Sequence, residues 1–386
     1  MMPENPFRIG VHVSGRFFTD RAAEVKRIRR ALSEPTRLLV LGPRRMGKSS
    51  AIAVASERAR DDGVLVVRAD LSTASNLVDV ANRLLHSLSS QRKREWLTRL
   101  ASTLLPTVTL TIDPVSGAPR IVLGAEGRTA PDERQRRSLE EVIEALAAEA
   151  RGQGRVRVAV VLDEFQAVRR FGGEEAEWHL RDLMQSHGEM SFVCAGSEVA
   201  LIHEMLGRER AFYRMFELLH LGPMAPDHLG RWIDDRMEAA GGDSKGVGAL
   251  IVERVGPRTQ DILQVARHVY ARGLAGGGAS VDEVELAIRD VVREEDPVIR
   301  TIWSDLTAHQ QNVLRAVASG SEQIFSTSTR HRFGLPTSST VAAAVDAMQK
   351  RGILARDHED GSIHFDSPFV GLWVEWEVLQ DVPPAP

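Results

Sequence analysis

Short apolar runs alternate with longer segments of helical periodicity over the first 222 residues. The apolar runs are nearly continuous and rich in β-branched residues, which is typical of strands buried on both faces of a sheet. They occupy residues 37–41, 64–69, 156–162 and 191–195. Because strands that alternate with helices form parallel sheets covered on both sides, the pattern predicts an α/β core over residues 1–222.

Two more apolar segments within this core, residues 107–112 and 119–123, flank a turn at Asp113-Pro-Val-Ser-Gly117. Turn residues between two short β-prone runs indicate a hairpin. We therefore expect a hairpin insertion at about residues 105–125, followed by a helix over residues 139–151.

Beyond residue 222 the pattern becomes helical. Four periodic stretches separated by glycine-containing breaks cover residues 226–240, 246–255, 259–272 and 281–295. Glycine pairs and triplets interrupt helices because they favour other backbone conformations. The sequence predicts a helical region over residues 223–298.

The last part of the chain, residues 299–386, has a different order of elements. Helices are predicted at 308–319 and 337–350, with a short segment containing Ser326-Thr-Ser-Thr-Arg330 between them. Two short strands at 352–356 and 362–365 follow, joined by a polar turn at 357–361. Helices followed by a hairpin indicate a winged helix-turn-helix domain.

A glycine-rich loop follows the first predicted strand. Residues 42–49 read Gly-Pro-Arg-Arg-Met-Gly-Lys-Ser, which is the G-x-x-x-x-G-K-S form of a P-loop. Such a loop turns its N–H groups toward a polyphosphate, Lys48 reaches the β- and γ-phosphates, and the Ser49 hydroxyl ligates Mg²⁺. The segment after the loop favours a helix, and the N-terminus of that helix adds positive potential to the site. The predicted nucleotide-binding residues are Gly42, Pro43, Arg44, Arg45, Met46, Gly47, Lys48, Ser49 and Ser50.

Two acidic residues, Asp163 and Glu164, end the predicted strand 156–162. We expect Asp163 to hold Mg²⁺ through water and Glu164 to polarise the water that attacks the γ-phosphate. The alternative is a strand that simply meets solvent. A catalytic acid directly after the metal ligand favours the ASCE type of P-loop NTPase over a GTPase.

Other polar residues fit roles around a nucleotide, each with a structural alternative. Ser197, after the strand 191–195, is a candidate sensor of the γ-phosphate or an N-cap of a helix at 198–206. Arg208, Arg210 and Arg214 are candidates for an arginine finger or members of a solvated surface. The turn at Gly256-Pro257-Arg258 either contacts adenine and phosphates or is an ordinary helix start.

These motifs, in this order, resemble the archaeal-type P-loop ATPases of the AAA+/STAND branch, which carry a C-terminal winged helix. The resemblance covers nearly the whole chain and rests on the segments Asn5-Pro-Phe7, Phe17–Arg21, Gly42–Ser49, Leu162–Gln166, Cys194–Ser197, Leu221–Met224, Gly256-Pro257 and Phe365–Phe369. It implies ATP rather than GTP and a helical lid over the nucleotide. It also implies that Asp20, Arg21 and Pro257 flank the adenine. No arginine matches the finger motif cleanly, which implies slow or partner-triggered hydrolysis.

The composition limits the classes of partner and compartment. The net charge of −4 argues against indiscriminate binding to nucleic acid or anionic membranes, and no apolar run has the length of a membrane span. The single cysteine, Cys194, lies within a predicted strand and is expected to be a buried apolar residue. These features predict a cytoplasmic protein.

Two functions from different classes fit these features. The first is an ATP switch, in which nucleotide closes the lid and the winged helix moves with it to engage a protein partner. The second is an ATP-gated DNA-binding or DNA-remodelling helper in transposition, replication or phage defence, acting as a nucleotide-dependent homo-oligomer. The predicted reading helix at 337–350 is poor in arginine, asparagine and glutamine, which disfavours base reading.

Overall fold

The computed structural model describes residues 4–11, 13–91, 108–112, 119–123, 131–152, 156–238, 243–321, 323–357 and 361–379. The chain divides into two compact units. His12–Gly222 form the first, which we call the core unit, and Met1–Val11 with Pro223–Pro386 form the second, which we call the helical unit. None of the helices in the described part of the chain has the length and apolar composition needed to cross a bilayer.

The core unit alternates helices and strands as the sequence predicts. In chain order its elements are α1 Ala22–Ser33, β1 Arg37–Leu41, α2 Lys48–Asp61, β2 Leu65–Asp70, α3 Leu77–Ser89, β3 Val108–Ile112, β4 Pro119–Leu123, α4 Pro131–Arg151, β5 Val158–Asp163, α5 Ala167–Ser186, β6 Ser191–Gly196, α6 Val199–Met205 and β7 Glu217–His220.

Five parallel strands form the central sheet in the order β2-β5-β6-β1-β7. Strand β6 therefore lies between β1, which precedes the P-loop, and β5, which ends at Asp163. The carboxyl ends of all three strands meet at one edge, with Leu41 opposite Gly196 and Leu162 opposite Cys194. This order confirms the predicted parallel α/β core and brings the three predicted site segments to the same edge of the sheet.

Each face of the sheet is covered by helices. Side chains at alternating strand positions, such as Leu39 and Val160, pack with α3, α4 and α5 on one face. Their neighbours Leu38 and Val161 pack with α1 and α2 on the other face. This double burial explains why the strands read as continuous apolar runs.

The predicted hairpin is present as a separate antiparallel pair, in which Val108 of β3 pairs with Leu123 of β4. Its first predicted residue, Thr107, and its predicted turn at 113–117 lie outside the described residues. Part of the predicted turn at 357–361 and the predicted helix end at residue 240 also lie outside them.

The helical unit contains the predicted helices and the winged helix. Its elements are α7 Pro226–Met237, α8 Val247–Val255, α9 Thr259–Arg272, α10 Asp282–Ser304, α11 Ala308–Ala318, α12 Thr327–Arg332, α13 Ser338–Lys350, β8 Leu354–Arg356, β9 Ile363–Phe365 and α14 Pro368–Trp373. The side chains of Thr307, Ser326 and Thr337 cap α11, α12 and α13, as expected for helix N-termini. Strands β8 and β9 form the wing.

Helix α10 differs from the prediction that it ends at residue 295. It continues through Pro297 to Ser304 because tertiary contacts outweigh the backbone hydrogen bond that proline cannot make. Ile299 is buried, and the Trp373 indole donates a 2.7 Å hydrogen bond to Asp296. The predicted boundary between helical region and winged helix thus falls inside one helix, and the division into three domains stays a prediction.

The N-terminal segment belongs to the helical unit. Phe7 is fully buried, and its ring packs edge-on against two aromatic rings. The ring centroids are 5.8 Å apart for Trp232 and 6.1 Å apart for Tyr270. Asn5 donates to the carbonyl of Arg267, and Arg267 donates to the carbonyl of Phe7. The chain consequently passes between the two units twice, at residues 11–12 and at 222–223.

Candidate nucleotide site

The loop between β1 and α2 has the backbone of a phosphate cradle. Arg45 and Gly47 have φ values of 67° and 82°, so the loop curls back on itself before α2 begins at Lys48. At Gly42 a Cβ atom would lie 2.3 Å from the carbonyl oxygen of Leu221, which leaves room only for glycine. Gly42 is therefore required by its close approach to Leu221, and Gly47 has a φ that favours glycine.

Lys48 is buried at the N-terminus of α2. Its Nζ donates hydrogen bonds to the carbonyls of Gly42 and Pro43, each at 2.7 Å, so the ammonium lies inside the loop. Burial lowers the pKa of Lys48 to about 8, and the charges of Glu164 and Asp163 oppose this shift. The lysine and the two acids thus form one electrostatic group at the edge of the sheet.

Asp163 ends β5 and is only 3% exposed. One oxygen accepts a hydrogen bond from the Glu164 amide at 3.1 Å, and the other pairs with Arg68 on β2. The hydroxyl of Ser49 and the carboxylate of Asp163 are oxygen donors of the kind Mg²⁺ takes, so these residues fit a magnesium site. With Arg68 on one oxygen, binding through water suits Asp163 better than direct ligation.

Glu164 is held by two polar neighbours. Its Oε2 accepts hydrogen bonds from the Ser197 hydroxyl at 2.7 Å and from the Gln166 amide. Gln166 also donates to Ser197 at 3.2 Å and is fully buried. Glu164 has a φ of 53°, a conformation that non-glycine residues adopt only when their surroundings hold it. The structure thus brings the two predicted residues Glu164 and Ser197 into direct contact.

The interpretation of Ser197 as a helix cap is wrong. Helix α6 begins at Val199, and the capping position is Glu198, which makes no side-chain cap bond. The Ser197 hydroxyl is directed to Glu164 instead. Cys194 is fully buried in β6, as predicted, and burial raises the pKa of its thiol well above the usual value.

The remaining P-loop residues have mixed environments. Met46 is buried, while Pro43, Arg44 and Arg45 are exposed. Arg44 lies 3.3 Å from the carboxylate of Glu198 within the same chain. The hydroxyl of Ser50 accepts a hydrogen bond from the backbone N–H of Val13 and so anchors the segment that enters the core unit.

The segment before α1 places Asp20 and Arg21 differently. Asp20 is exposed, whereas Arg21 is 3% exposed. The Arg21 guanidinium donates to the carbonyls of Met46 and Gly222, and it pairs with Glu24. Their predicted contact with adenine stays a prediction, but the Arg21 side chain has a defined role beside the loop.

Two residues had roles that the sequence did not suggest. Arg68 neutralises the predicted metal ligand, and its signal is a cation within the apolar strand β2. Gln166 completes the group around Glu164, and its signal is its place two residues after that acid. Partners of this kind depend on contacts between distant segments, which one sequence does not show.

The three candidate arginine fingers have different surroundings in the structure. Arg210 pairs with Glu174 and with the fully buried Glu177, so its guanidinium is engaged within the chain. Arg208 and Arg214 are exposed.

Pro257 belongs to the helical unit, in the turn between α8 and α9, where Gly256 has a φ of 87°. The neighbouring Arg258 makes a two-pronged ion pair with Asp366, which follows β9. The contact of Pro257 with adenine stays a prediction.

Comparison with known families assigns both parts of the chain. Residues 31–203 match the family described as "AAA domain", and residues 298–376 match the family described as "Probable winged helix domain". The chain carries an AAA domain followed by a winged helix. The AAA domain is a P-loop ATPase domain, a type of domain that binds nucleotide. The resemblance seen in the sequence is thereby confirmed at the level of both domains.

Solved structures of similar fold match nearly the whole length of this chain. A Walker-type ATPase of Pyrococcus abyssi covers 96% of this chain and 99% of its own, with 18% identity and a TM-score of 0.63. The ORC2 protein of Aeropyrum pernix, solved as ADPNP-ADP complexes, covers 97% and 98%, with 14% identity and a TM-score of 0.51. At these identities the likeness is one of fold. No curated protein sequence matches the chain.

Proposed function

We propose that the protein is an ATP-dependent switch, which binds ATP with Mg²⁺, hydrolyses it and changes the position of its winged helix for a protein partner. The observation that carries the proposal is the buried Lys48 ammonium, which donates to two carbonyls of the P-loop and whose pKa, lowered by burial, is partly restored by the charges of Glu164 and Asp163. A buried cation beside two acids at the end of a parallel sheet suits the binding and cleavage of a polyphosphate.

The chemistry that we assign follows from the charged and polar groups of the site. Lys48 supplies positive charge to the phosphates, and Ser49 and Asp163 are the residues that would hold the metal. Bound Mg²⁺ neutralises charge on the phosphate oxygens. Glu164 accepts a proton as the oxygen of the attacking water bonds to the γ-phosphorus and the bond from that phosphorus to the β-phosphate oxygen breaks. Ser197 donates to Glu164, and we assign it the role of γ-phosphate sensor.

A switch also needs an output that moves as a body. The helices of the predicted lid, α7 to α10, share one hydrophobic cluster with α14 of the winged helix. To this cluster α10 contributes Val291 and Ile299, and α14 contributes Phe369 and Trp373. Arg258 and Asp366 add an ion pair between the turn before α9 and the end of the wing. We therefore assign these helices and the winged helix to one moving body.

The proposal favours a protein partner because of the surface of α13. Its exposed positions include Ser339, Ala343, Asp346 and Lys350, a set that is small, mixed in charge and poor in base-reading groups. The alternative is an ATP-gated DNA-binding helper that assembles as a homo-oligomer. The exposed basic residues His331, Arg332, Arg351 and Arg356 of the winged helix favour it.

The experiment that tests the proposal replaces the P-loop lysine. In Lys48→Ala we expect ATP binding to weaken by about a hundredfold or more, because a charge-assisted contact to the phosphates is lost. Isothermal titration with ATP and Mg²⁺ measures this. Lys26→Ala, which removes an exposed lysine from α1, is the matched control and should bind as the parent does. Equal affinity in Lys48→Ala and the parent contradicts the proposal.

A further inference from the structure

Arg21 combines an unfavourable backbone conformation with a buried charged side chain. Asp20 and Arg21 have consecutive φ values of 54° and 64°, in the region that glycine favours. Two such residues in a row persist only where the surrounding fold holds them. Their effect is to turn the Arg21 side chain into the core unit, where it is 3% exposed.

The buried guanidinium joins two backbone carbonyls that are far apart in sequence. One Nη atom donates to Met46 O at 3.1 Å and to Gly222 O at 2.5 Å, and the other pairs with Glu24 at 3.2 Å. Met46 lies in the P-loop, and Gly222 is the last residue of the core unit before the chain enters the helical unit.

The first carbonyl bears on phosphate binding. A trans peptide unit is planar, so its C=O and its N–H point in opposite directions. By holding Met46 O, Arg21 fixes the plane of the peptide that also carries the Gly47 N–H. This N–H is one of the P-loop donors that would face a phosphate.

The second carbonyl bears on the crossing between the units. Gly222 O belongs to the peptide bond that joins Gly222 to Pro223, where the chain leaves the core unit. Proline fixes its own φ, so the direction of the chain after residue 222 depends strongly on the orientation of this peptide. One side chain therefore holds both the peptide before Gly47 and the peptide at the crossing.

We propose that Arg21 is a positioning residue that couples nucleotide in the P-loop to the direction of the chain at residues 222–223. The proposal rests on the proposed function, because it needs nucleotide to engage the Gly47 N–H. Engagement of that N–H reorients the Met46 carbonyl, and the guanidinium transmits the change to Gly222. This role is separate from any contact with adenine.

The test compares hydrogen exchange in the parent and in Arg21→Met with and without a non-hydrolysable ATP analogue and Mg²⁺. In the parent we expect added nucleotide to change exchange both in P-loop peptides and in peptides covering residues 221–225. In Arg21→Met we expect P-loop protection to remain and the change at 221–225 to disappear. Nucleotide affinity should fall by about tenfold, because a charge-assisted hydrogen bond to the loop is lost.

Two further variants define the contact. Arg30→Met removes an exposed arginine from α1 and should behave as the parent. Arg21→Lys retains the charge but not the planar guanidinium, in which one Nη reaches both carbonyls while the other pairs with Glu24. We expect it to keep binding while losing most of the response at 221–225. It also serves if Arg21→Met does not fold.

The parent alone already decides between the two proposals. Protection of the P-loop without any change at 221–225 overturns the role of Arg21 and leaves the nucleotide site intact. No protection of the P-loop overturns the proposed function itself. A response at 221–225 that persists unchanged in both Arg21 variants also overturns the coupling.

Discussion

Glu164 illustrates how much of the site depends on single residues. Its backbone is held in a left-handed conformation, and its carboxylate oxygen is shared between Ser197 and Gln166. Both neighbours donate, so the carboxylate is oriented before any substrate arrives. An acid held in one orientation is suited to accept a proton from a water molecule at a defined position.

In Glu164→Gln we expect ATP binding to be retained and hydrolysis to slow by about a hundredfold or more, because an amide cannot accept the proton of the attacking water. Single-turnover hydrolysis measures the rate, and titration measures the affinity. Glu57→Gln, at an exposed position of α2, is the control. Turnover equal to that of the parent would show that the base lies elsewhere.

Sequence reasoning named the candidate site residues that a local pattern carries. Asp163 ends β5, Glu164 and Ser197 directly follow β5 and β6, and Lys48 follows the loop after β1, so all lie at the same edge of the sheet. Arg68 was not found, because its contact with Asp163 joins segments that are 95 residues apart. Long-range partners of this kind are set by strand order, which one sequence does not specify.

At the scale of elements, α4 and α5 border a polar cavity of about 470 Å³ in the core unit. Its lining includes His179 and His187 together with Glu140 and Asp182. Burial lowers the pKa of His179 from 6.5, while Glu140, 3.6 Å away, opposes the shift. The fold therefore favours the neutral imidazole.

Because the pKa of His179 is lowered in the folded protein, the free energy of unfolding depends on pH. The unfolded chain protonates His179 near pH 6.5 and the folded chain only at lower pH, so stability falls as pH drops below 6.5. The charged groups that act on His179 are Glu140, Asp182 and Arg136.

Between pH 7.5 and pH 5.5 we expect the melting temperature of His179→Asn, measured by circular dichroism, to fall less than that of the parent. His203→Asn, on the exposed face of α6, should match the parent. An identical loss in His179→Asn and the parent contradicts the assignment.

Element prediction failed where tertiary contacts outweigh local preference. Strand β7 was not predicted because its four residues, Glu217-Leu-Leu-His220, are mostly exposed and lack a continuous apolar run. It exists because it pairs with β1 at the edge of the sheet. Helix α10 passes Pro297 for the same kind of reason, since buried residues on either side hold it together.

At the scale of the molecule, the helical unit is discontinuous in sequence. Its core includes Phe7 as well as residues beyond 223, and Phe7 is among its largest fully buried side chains. The N-terminal segment is thus a structural part of the unit that carries the winged helix.

We expect Phe7→Ala to destabilise the helical unit by about 3–5 kcal/mol, because a large aromatic ring is removed from a packed core. Hydrogen exchange should accelerate in α7 and α9, which supply Trp232 and Tyr270, while P-loop peptides keep their protection by nucleotide. Val11→Ala, at a position 59% exposed, is the control. Unchanged exchange in α7 and α9 would contradict the role assigned to Phe7.

The early position of Phe7 has a consequence for synthesis on the ribosome. Its carbonyl is bound by Arg267, which is translated 260 residues later, at roughly 5–20 residues per second. The AAA domain is complete as nascent chain before that partner exists, whereas Phe7 stays exposed until α9 has emerged. The segment around Phe7 is therefore synthesised well before the residues that complete its burial.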